Sequence, residues 1–561
     1  MKPLIVSLMI TLLAATAKGQ ISGAVKSSSN AAIAGIVVKN PGSEPVRKAV
    51  IELIAENQSD GADYTTVSAA DGTFRIEGIA PGRYHLFAER TGLLEAGKQS
   101  NGRVLTLVAG QELADLQIHL QASAVVRGRV TDEDGEPMLN ADVTVLREAF
   151  VAGRRRWEQA GSERTNDLGE YRIASLAPGN YYISVNPPPD FRSLIEAAGK
   201  SSRADTANPP DKPASSYQTT FYPGTTDRSQ AAPIQLHAGD EFPLNFSLTP
   251  SPSLSVRGAV VNLPPRSSAV IMLQSRDFNL VLNGAEVHQD GTFVIRNVAP
   301  GAYTILASVE DASVPMMARQ SLQVVSTSVE GVRLAPQAGG WIRGRLRLES
   351  RKNGVADPSQ LFLTLHSSDF DDDVLGMFVA GAGFNSLTRV ALDGTFEWKN
   401  VPPGNYYVQL AGDSGIESGW YLKSELADGR DVSDASVGVN GGAVGLSLVA
   451  SDDGGTVDGI VSDAKGQPVS NATVVAAPEA RLRTRIDRYR KTVSDQSGRF
   501  ALRGLAPGEY TILAWENVDG EAYYNSEFLK SYESQGFRLR IAEGERKNLQ
   551  LAVIPSPEDQ P

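Results

Sequence analysis

The stretch whose reading decides the fold runs from Asp71 to Phe87 and spells DGTFRIEGIAPGRYHLF. Its first half alternates, with Phe74 and Ile76 on one side and Arg75 and Glu77 on the other. After Pro81-Gly82 the alternation resumes, with Tyr84, Leu86 and Ala88 opposite His85, Phe87 and Glu89. A period of two predicts β-strands. Pro-Gly between two such runs predicts a type II turn, because proline presets the first central residue and glycine accepts the positive φ of the second.

The phrase is written five times. Its opening glycine recurs as Gly72, Gly169, Gly291, Gly394 and Gly498. At one fixed distance follow Pro81-Gly82, Pro178-Gly179, Pro300-Gly301, Pro403-Gly404 and Pro507-Gly508. Two residues further stand Tyr84, Tyr181, Tyr303, Tyr406 and Tyr510. Spacings of 97, 122, 103 and 104 residues suit whole small domains rather than solenoid units. Each tyrosine is expected in a core, its hydroxyl bonded to nearby backbone as in the tyrosine corner of β-sandwiches.

Upstream of each phrase lies a second shared segment, clearest in VRGRVTDEDGEPMLNADVTVL (126–146) and VDGIVSDAKGQPVSNATVVA (457–476). It reads as two strands about a turn, and the other copies start at Gly35, Gly258 and Gly344. Glycine-hinged pairs such as VLTLVAGQELADLQIHL close the copies. With six or seven short strands per copy and no long amphipathic helix, the chain reads as all-β. It is a tandem array of about five small antiparallel β-sandwich domains, transthyretin-like or immunoglobulin-like. The expected division is 1–19 a signal peptide, 20–122, 123–250 with a long loop insertion at 186–229, 251–337, 338–450 and 451–561. Short linkers such as LTPSPSLSV (248–256) predict an extended rod.

Taken in order, GxV, then DxxGxPxxxAxVxV, then DxxGxFxxxxLxPGxY, the motifs resemble the carboxypeptidase regulatory-like domain. That is a transthyretin-like (prealbumin-like) sandwich related in shape to Cna-B-like and carbohydrate-binding-like modules. Repeats two and five follow the pattern most fully. The resemblance implies a non-catalytic accessory or adhesive module of exported proteins.

At 561 residues and a net charge of −12, the chain exceeds a single core and carries no global field to attract nucleic acid. MKPLIVSLMITLLAATAKGQ joins Lys2, an apolar run and the small residues Ala15-Thr16-Ala17, the grammar of an export signal. Its apolar run falls short of a bilayer span, so no integral span is expected once the signal is cleaved, and retention as an anchor is the alternative. The expected location is periplasmic, cell-surface or extracellular, with a bacterial cell envelope as the setting. Cysteine is absent, which excludes disulfides, thiolate metal sites and a cysteine nucleophile.

No catalytic, cofactor or metal residues are assigned. The five histidines (His85, His119, His237, His288, His366) show no zinc spacing, and neither GxSxG nor a P-loop occurs. The acidic runs DFDDDV (369–374) and DEDGE (132–136) do not complete a calcium loop. Candidate ligand contacts are loop aromatics: Phe221 and Tyr222, Trp420 and Tyr421, Tyr523 and Tyr524. The basic clusters RRRW (154–157) and RLRTRIDRYRK (481–491) occupy one place in the repeat. Alternation of Arg481, Arg483 and Arg485 predicts a solvated edge strand, with attraction to an anionic envelope polymer as the functional alternative. The leading expectation is an exported scaffold or adhesion protein. The alternative is a carbohydrate- or peptide-binding array, and an enzyme is least supported. Expected partners are an envelope polysaccharide or another envelope protein.

Overall fold

The computed structural model describes residues 30–56, 62–95, 102–188, 215–252, 254–264, 267–276, 281–310, 316–350, 357–368, 384–411 and 419–555. The signal segment, the stretch 189–214 of the insertion and the acidic run 369–374 lie outside them. Among the described residues no helix is long and apolar enough to cross a membrane.

Repeat one sets the plan. Its strands are β1 (Ala31–Asn40), β2 (Val50–Ala55), β3 (Tyr64–Val67), β4 (Thr73–Ile79), β5 (Gly82–Glu89), β6 (Leu93–Glu95), β7 (Arg103–Leu107) and β8 (Glu112–Ala122). They form two sheets, ordered β4-β1-β8-β6 and β3-β2-β5-β7. The alternation read from the opening phrase is the alternation of burial: Phe74, Ile76 and Ile79 from β4 and Tyr84, Leu86 and Ala88 from β5 all enter the core between the sheets.

The turn between them differs from expectation. β4 and β5 belong to different sheets, so Pro81-Gly82 is a crossover from one layer to the other. The positive φ sits instead on the opening glycine of every phrase: Gly72 +78°, Gly169 +74°, Gly291 +84°, Gly394 +82° and Gly498 +72°. Of the Pro-Gly glycines only Gly179 has a positive φ, at +156°. The Pro-Gly glycine answers to space, because the tyrosine two residues on folds its ring back over it. A Cβ on Gly301 would lie 3.2 Å from the Tyr303 ring.

β7 and β8 are likewise not a hairpin. β7 pairs with β5, while β8 crosses over and runs parallel to β1. The same parallel pairing of first and last strands joins Leu254–Val260 to Val329–Leu334, Gly340–Glu349 to Ala443–Ser451 and Gly455–Ser462 to Arg546–Ala552. In repeat two, Ala124–Thr131 pairs in parallel with Glu241–Pro243 and Phe246–Ser247. The glycine of the GxV motif permits this pairing. A Cβ on Gly35, Gly128, Gly258, Gly344 or Gly459 would fall 1.7–2.2 Å from a carbonyl oxygen of the parallel strand. Five sandwiches follow, each with its own core between two sheets. The core of repeat four also takes in Leu306 and Met317 of repeat three.

The array is not a rod. Repeat five touches repeats one, two and four. Gln496 accepts from the Thr106 amide at 3.0 Å and donates to the Thr106 carbonyl at 2.8 Å, and Arg83 donates to the Val493 carbonyl at 2.6 Å. The two Gln496 bonds cap β7 on the outer edge of its sheet, where unpaired backbone would otherwise invite another chain. From repeat two, strands Asp142–Val151 and Arg154–Arg164 form a hairpin whose tip reaches repeat five. There Glu521 accepts from the Ala152 amide at 2.7 Å, Asn525 donates to the Gly153 carbonyl at 2.8 Å, and the Phe150 and Phe528 rings lie 5.9 Å apart. Linker length fixed only how far successive repeats separate; the return of the fifth is set by these side chains.

Candidate functional site: repeat five and the clefts around it

The tyrosine after each Pro-Gly pair makes the same bond. The hydroxyls of Tyr84, Tyr181, Tyr303, Tyr406 and Tyr510 donate to the carbonyls of Ala80, Ala177, Ala299, Pro402 and Ala506, each four residues earlier, at 2.7–3.0 Å. All five rings are buried. The bond fixes the Pro-Gly crossover, so the repeated residues serve corner geometry.

The six loop aromatics do not form one face. Phe221 is buried in a satellite core with Leu146 and Trp157, its ring 5.8 Å from the Trp157 ring, and Tyr222 packs half-buried on the core of repeat two. Trp420 packs half-buried against repeat four. Tyr421 is buried and donates to Glu543 of repeat five at 3.1 Å; burial pushes its hydroxyl up to about 12. Tyr523 is buried beside Tyr489, Trp515 and Leu529, with Tyr524 half-buried against the same cluster. These side chains pin their loops because large rings bury most area when turned inward.

The second basic cluster also departs from expectation. Arg481 and Arg488 lie on short 3₁₀ turns, Ala480–Leu482 and Ile486–Arg488, and Arg485 between them is fully buried. Arg485 bonds Glu425 of repeat four at 2.8 Å and Asp487 at 2.7 Å, and it donates to the Ser433 carbonyl at 2.6 Å. Arg488 reaches Glu425 at 3.1 Å. Arg483 pairs with Glu533 at 2.6 Å, and Arg481 with Asp434 and Glu479. Alternation was a poor guide because the decisive partner, Glu425, lies in another repeat. Beside this network Lys423 bonds Glu349 at 3.0 Å and Glu543 at 2.8 Å, joining the repeats at their rim.

Burial raises Glu425 to about 7, against the opposing pull of Arg485 and Arg488. A carboxyl whose folded value exceeds its unfolded value binds its proton more tightly when folded. Its contribution is therefore fully present below about pH 4.5 and lost by about pH 7, a change of about 3 kcal/mol. Denaturant titrations of wild type and Glu425→Gln between pH 4 and pH 8 are expected to show wild type losing ground to the variant across that window. A pH-independent difference would contradict the assignment.

Repeats one, two and five border a half-open cleft of about 1850 Å³. Glu56, His85, Tyr182, Arg147, Asp519 and Trp515 are among the residues that line it. Burial raises Glu56, but bonds from His85 and Arg83 outweigh it and hold the carboxyl below its usual value. Burial holds Asp519 above its usual value. Behind this lining Tyr182 stacks at 4.1 Å on the buried Trp157. Walls that mix charged and aromatic side chains suit a polar ligand that presents flat apolar faces. Among the described residues no group of three or more histidine, aspartate or glutamate side chains is placed to hold a metal ion. Sequence reasoning missed this cleft because its walls come from three repeats.

The fold and its five tyrosine corners define a tandem array of small β-sandwiches. Residues 32–121, 125–192 and 456–551 match the carboxypeptidase regulatory-like domain family. These three segments, in repeats one, two and five, are carboxypeptidase regulatory-like domains. No curated protein matches the chain. Among solved structures the chain is similar to the Bacillus anthracis TIE protein, with 11% identity, a TM-score of 0.16, and coverage of 55% of this chain and 50% of that one. It is also similar to the minor pilin of Streptococcus agalactiae, with 12% identity, a TM-score of 0.20, and coverage of 40% and 97%. A third is the major pilin subunit of Bacillus cereus, with 11% identity, a TM-score of 0.14, and coverage of 75% and 99%. The chain thus spans half the length of the first of these.

Proposed function

We propose that the protein is an exported, non-catalytic scaffold of the cell envelope, whose five sandwiches are drawn together by the fifth to present a fixed composite surface to another envelope component. The observation that carries this reading is the use of the repeated residues. The tyrosines and glycines are spent on corners and strand packing, while the polar side chains of repeat five are spent on holding repeats one, two and four. Nothing in that expenditure requires turnover; all of it supports a fixed shape. Export follows from the segment 1–19. Fractionation of cells producing the tagged chain, with N-terminal sequencing of the product, tests it. The protein is expected outside the cytoplasm with its first residues removed, and retention in the cytoplasm would sink the reading.

A second reading, carbohydrate or peptide binding, is favoured by the cleft between repeats one, two and five, with its aromatic and charged walls. A glycan array followed by tryptophan-fluorescence titration separates the two. Binding weakened by Tyr182→Ala but not by Trp420→Ala would support the cleft, whereas no binding leaves the scaffold alone.

A further inference from the structure

The basic cluster RRRW has a different fate from its counterpart in repeat five. Arg154, Arg155 and Arg156 lie on the hairpin strand of repeat two and line a second cleft, of about 630 Å³. Arg276 and Arg319 of repeat three also line it, together with Gln274, Gln320, Thr304 and Ser321. Ser368 of repeat four is part of the lining, its carbonyl accepting from Arg154 at 3.4 Å. Five guanidinium groups from two repeats thus line one pocket on a chain whose net charge is −12.

Two contrasts give this convergence meaning. Around Arg485 the four arginines Arg481, Arg483, Arg485 and Arg488 each meet a carboxylate. Among the described residues, no carboxylate lies within ion-pair distance of Arg154, Arg155 or Arg276. The described lining of the pocket is also polar throughout, with neither an aromatic ring nor an aliphatic side chain. Gathering Arg154, Arg155 and Arg276 costs free energy unless an anion joins them, and the guanidinium fork matches oxyanions in particular. An apolar peptide side chain would find nothing to pack against, whereas the amides and hydroxyls suit a polyhydroxylated ligand.

We propose that this cleft between repeats two and three binds an acidic glycan, a sugar chain carrying carboxylate groups, with Arg154 and Arg276 as paired oxyanion contacts from the two walls. The site adds a ligand class to the scaffold reading and does not depend on it. A membrane-free solution measurement therefore tests it apart from export.

The probe is an oligogalacturonate of six to eight units, titrated calorimetrically into the full chain at low salt, with a neutral malto-oligosaccharide of equal length and inorganic phosphate as controls. The oligogalacturonate is expected to bind, with affinity falling as salt rises because exposed charges are screened. Arg154→Gln and Arg276→Gln are each expected to weaken it about tenfold, the scale of a lost charge-assisted hydrogen bond. Circular dichroism checks that both variants remain folded, and the salt dependence of the wild type stands as a readout that needs no variant. Equal binding of the neutral oligosaccharide would overturn the proposal, as would affinity unchanged by salt and by both substitutions. Phosphate binding as tightly as the oligomer would overturn the glycan assignment. Binding gained only after Asp371, Asp372 and Asp373 are replaced by asparagine would make the chain's own carboxylates the occupant and exclude an external ligand.

Discussion

Replacing Arg485 with alanine at pH 8 is expected to destabilise the contact between repeats four and five by about 3 kcal/mol, because it takes the closest cation from two buried carboxylates. Glu425 and Asp487 both bond Arg485, which also satisfies the Ser433 carbonyl. Arg488 remains, 3.1 Å from Glu425 and 3.6 Å from Asp487 and donating to the Ser433 carbonyl at 2.9 Å, so it offsets part of the loss without matching the two shorter carboxylate bonds of Arg485. Differential scanning calorimetry of the full chain is expected to show one of its transitions moved to lower temperature. The double change Arg485→Met with Glu425→Leu is expected to recover much of the loss, since an apolar pair leaves fewer charges without partners. A variant as stable as wild type would mean that the network contributes nothing to docking.

Removal of a corner tyrosine is the second large effect. Tyr510→Ala is expected to cost repeat five about 4 kcal/mol, as deletion of a buried ring leaves a cavity. Tyr510→Phe is expected to cost only about 1 kcal/mol, the net worth of one hydrogen bond. The ring packs in the core of repeat five and the hydroxyl reaches the Ala506 carbonyl at 3.0 Å. The gap between the two variants in chemical denaturation separates core packing from corner geometry. Equal losses would assign the whole effect to the hydroxyl and contradict the packing argument.

What the sequence disclosed, and what it hid, follow from the range of the interactions. Strands and corners were legible because their cause is local: Phe74 and Tyr84 sit at fixed offsets from a glycine and a Pro-Gly pair, and period two carries the face they bury. The parallel pairing of β1 with β8 was hidden, since the phrase that links β4 to β5 reads equally well as a hairpin or as a crossover. Gly82 was assigned to a backbone need when its neighbour's ring gives the simpler reason, as Gly301 beneath Tyr303 illustrates.

The sites were less legible still. Arg485 looked solvated because its own neighbours are polar; Glu425, 60 residues away, makes it buried. Gln496 and Thr106 are separated by 390 residues, and nothing in either local sequence announces their contact. Of the proposed contact aromatics, Phe221, Tyr421 and Tyr523 are buried, and that burial gives them a packing role. The arginines of RRRW were visible, whereas Arg276 and Arg319, which complete the cleft, were isolated residues until the fold brought them together.

The claim on which the rest depends is that repeat five returns to repeat one. Because the chain has no cysteine, two can be introduced without interference. Val108→Cys and Ser497→Cys stand on exposed positions two residues from Thr106 and one from Gln496. Spin labels there, read by double electron–electron resonance, are expected within about 20 Å of each other, given how far so few residues extend. A rod of five sandwiches would hold them about 100 Å apart or more, given the dimensions of domains this size. A short, narrow distance distribution is the predicted result, and a distribution without short distances would contradict the closed array.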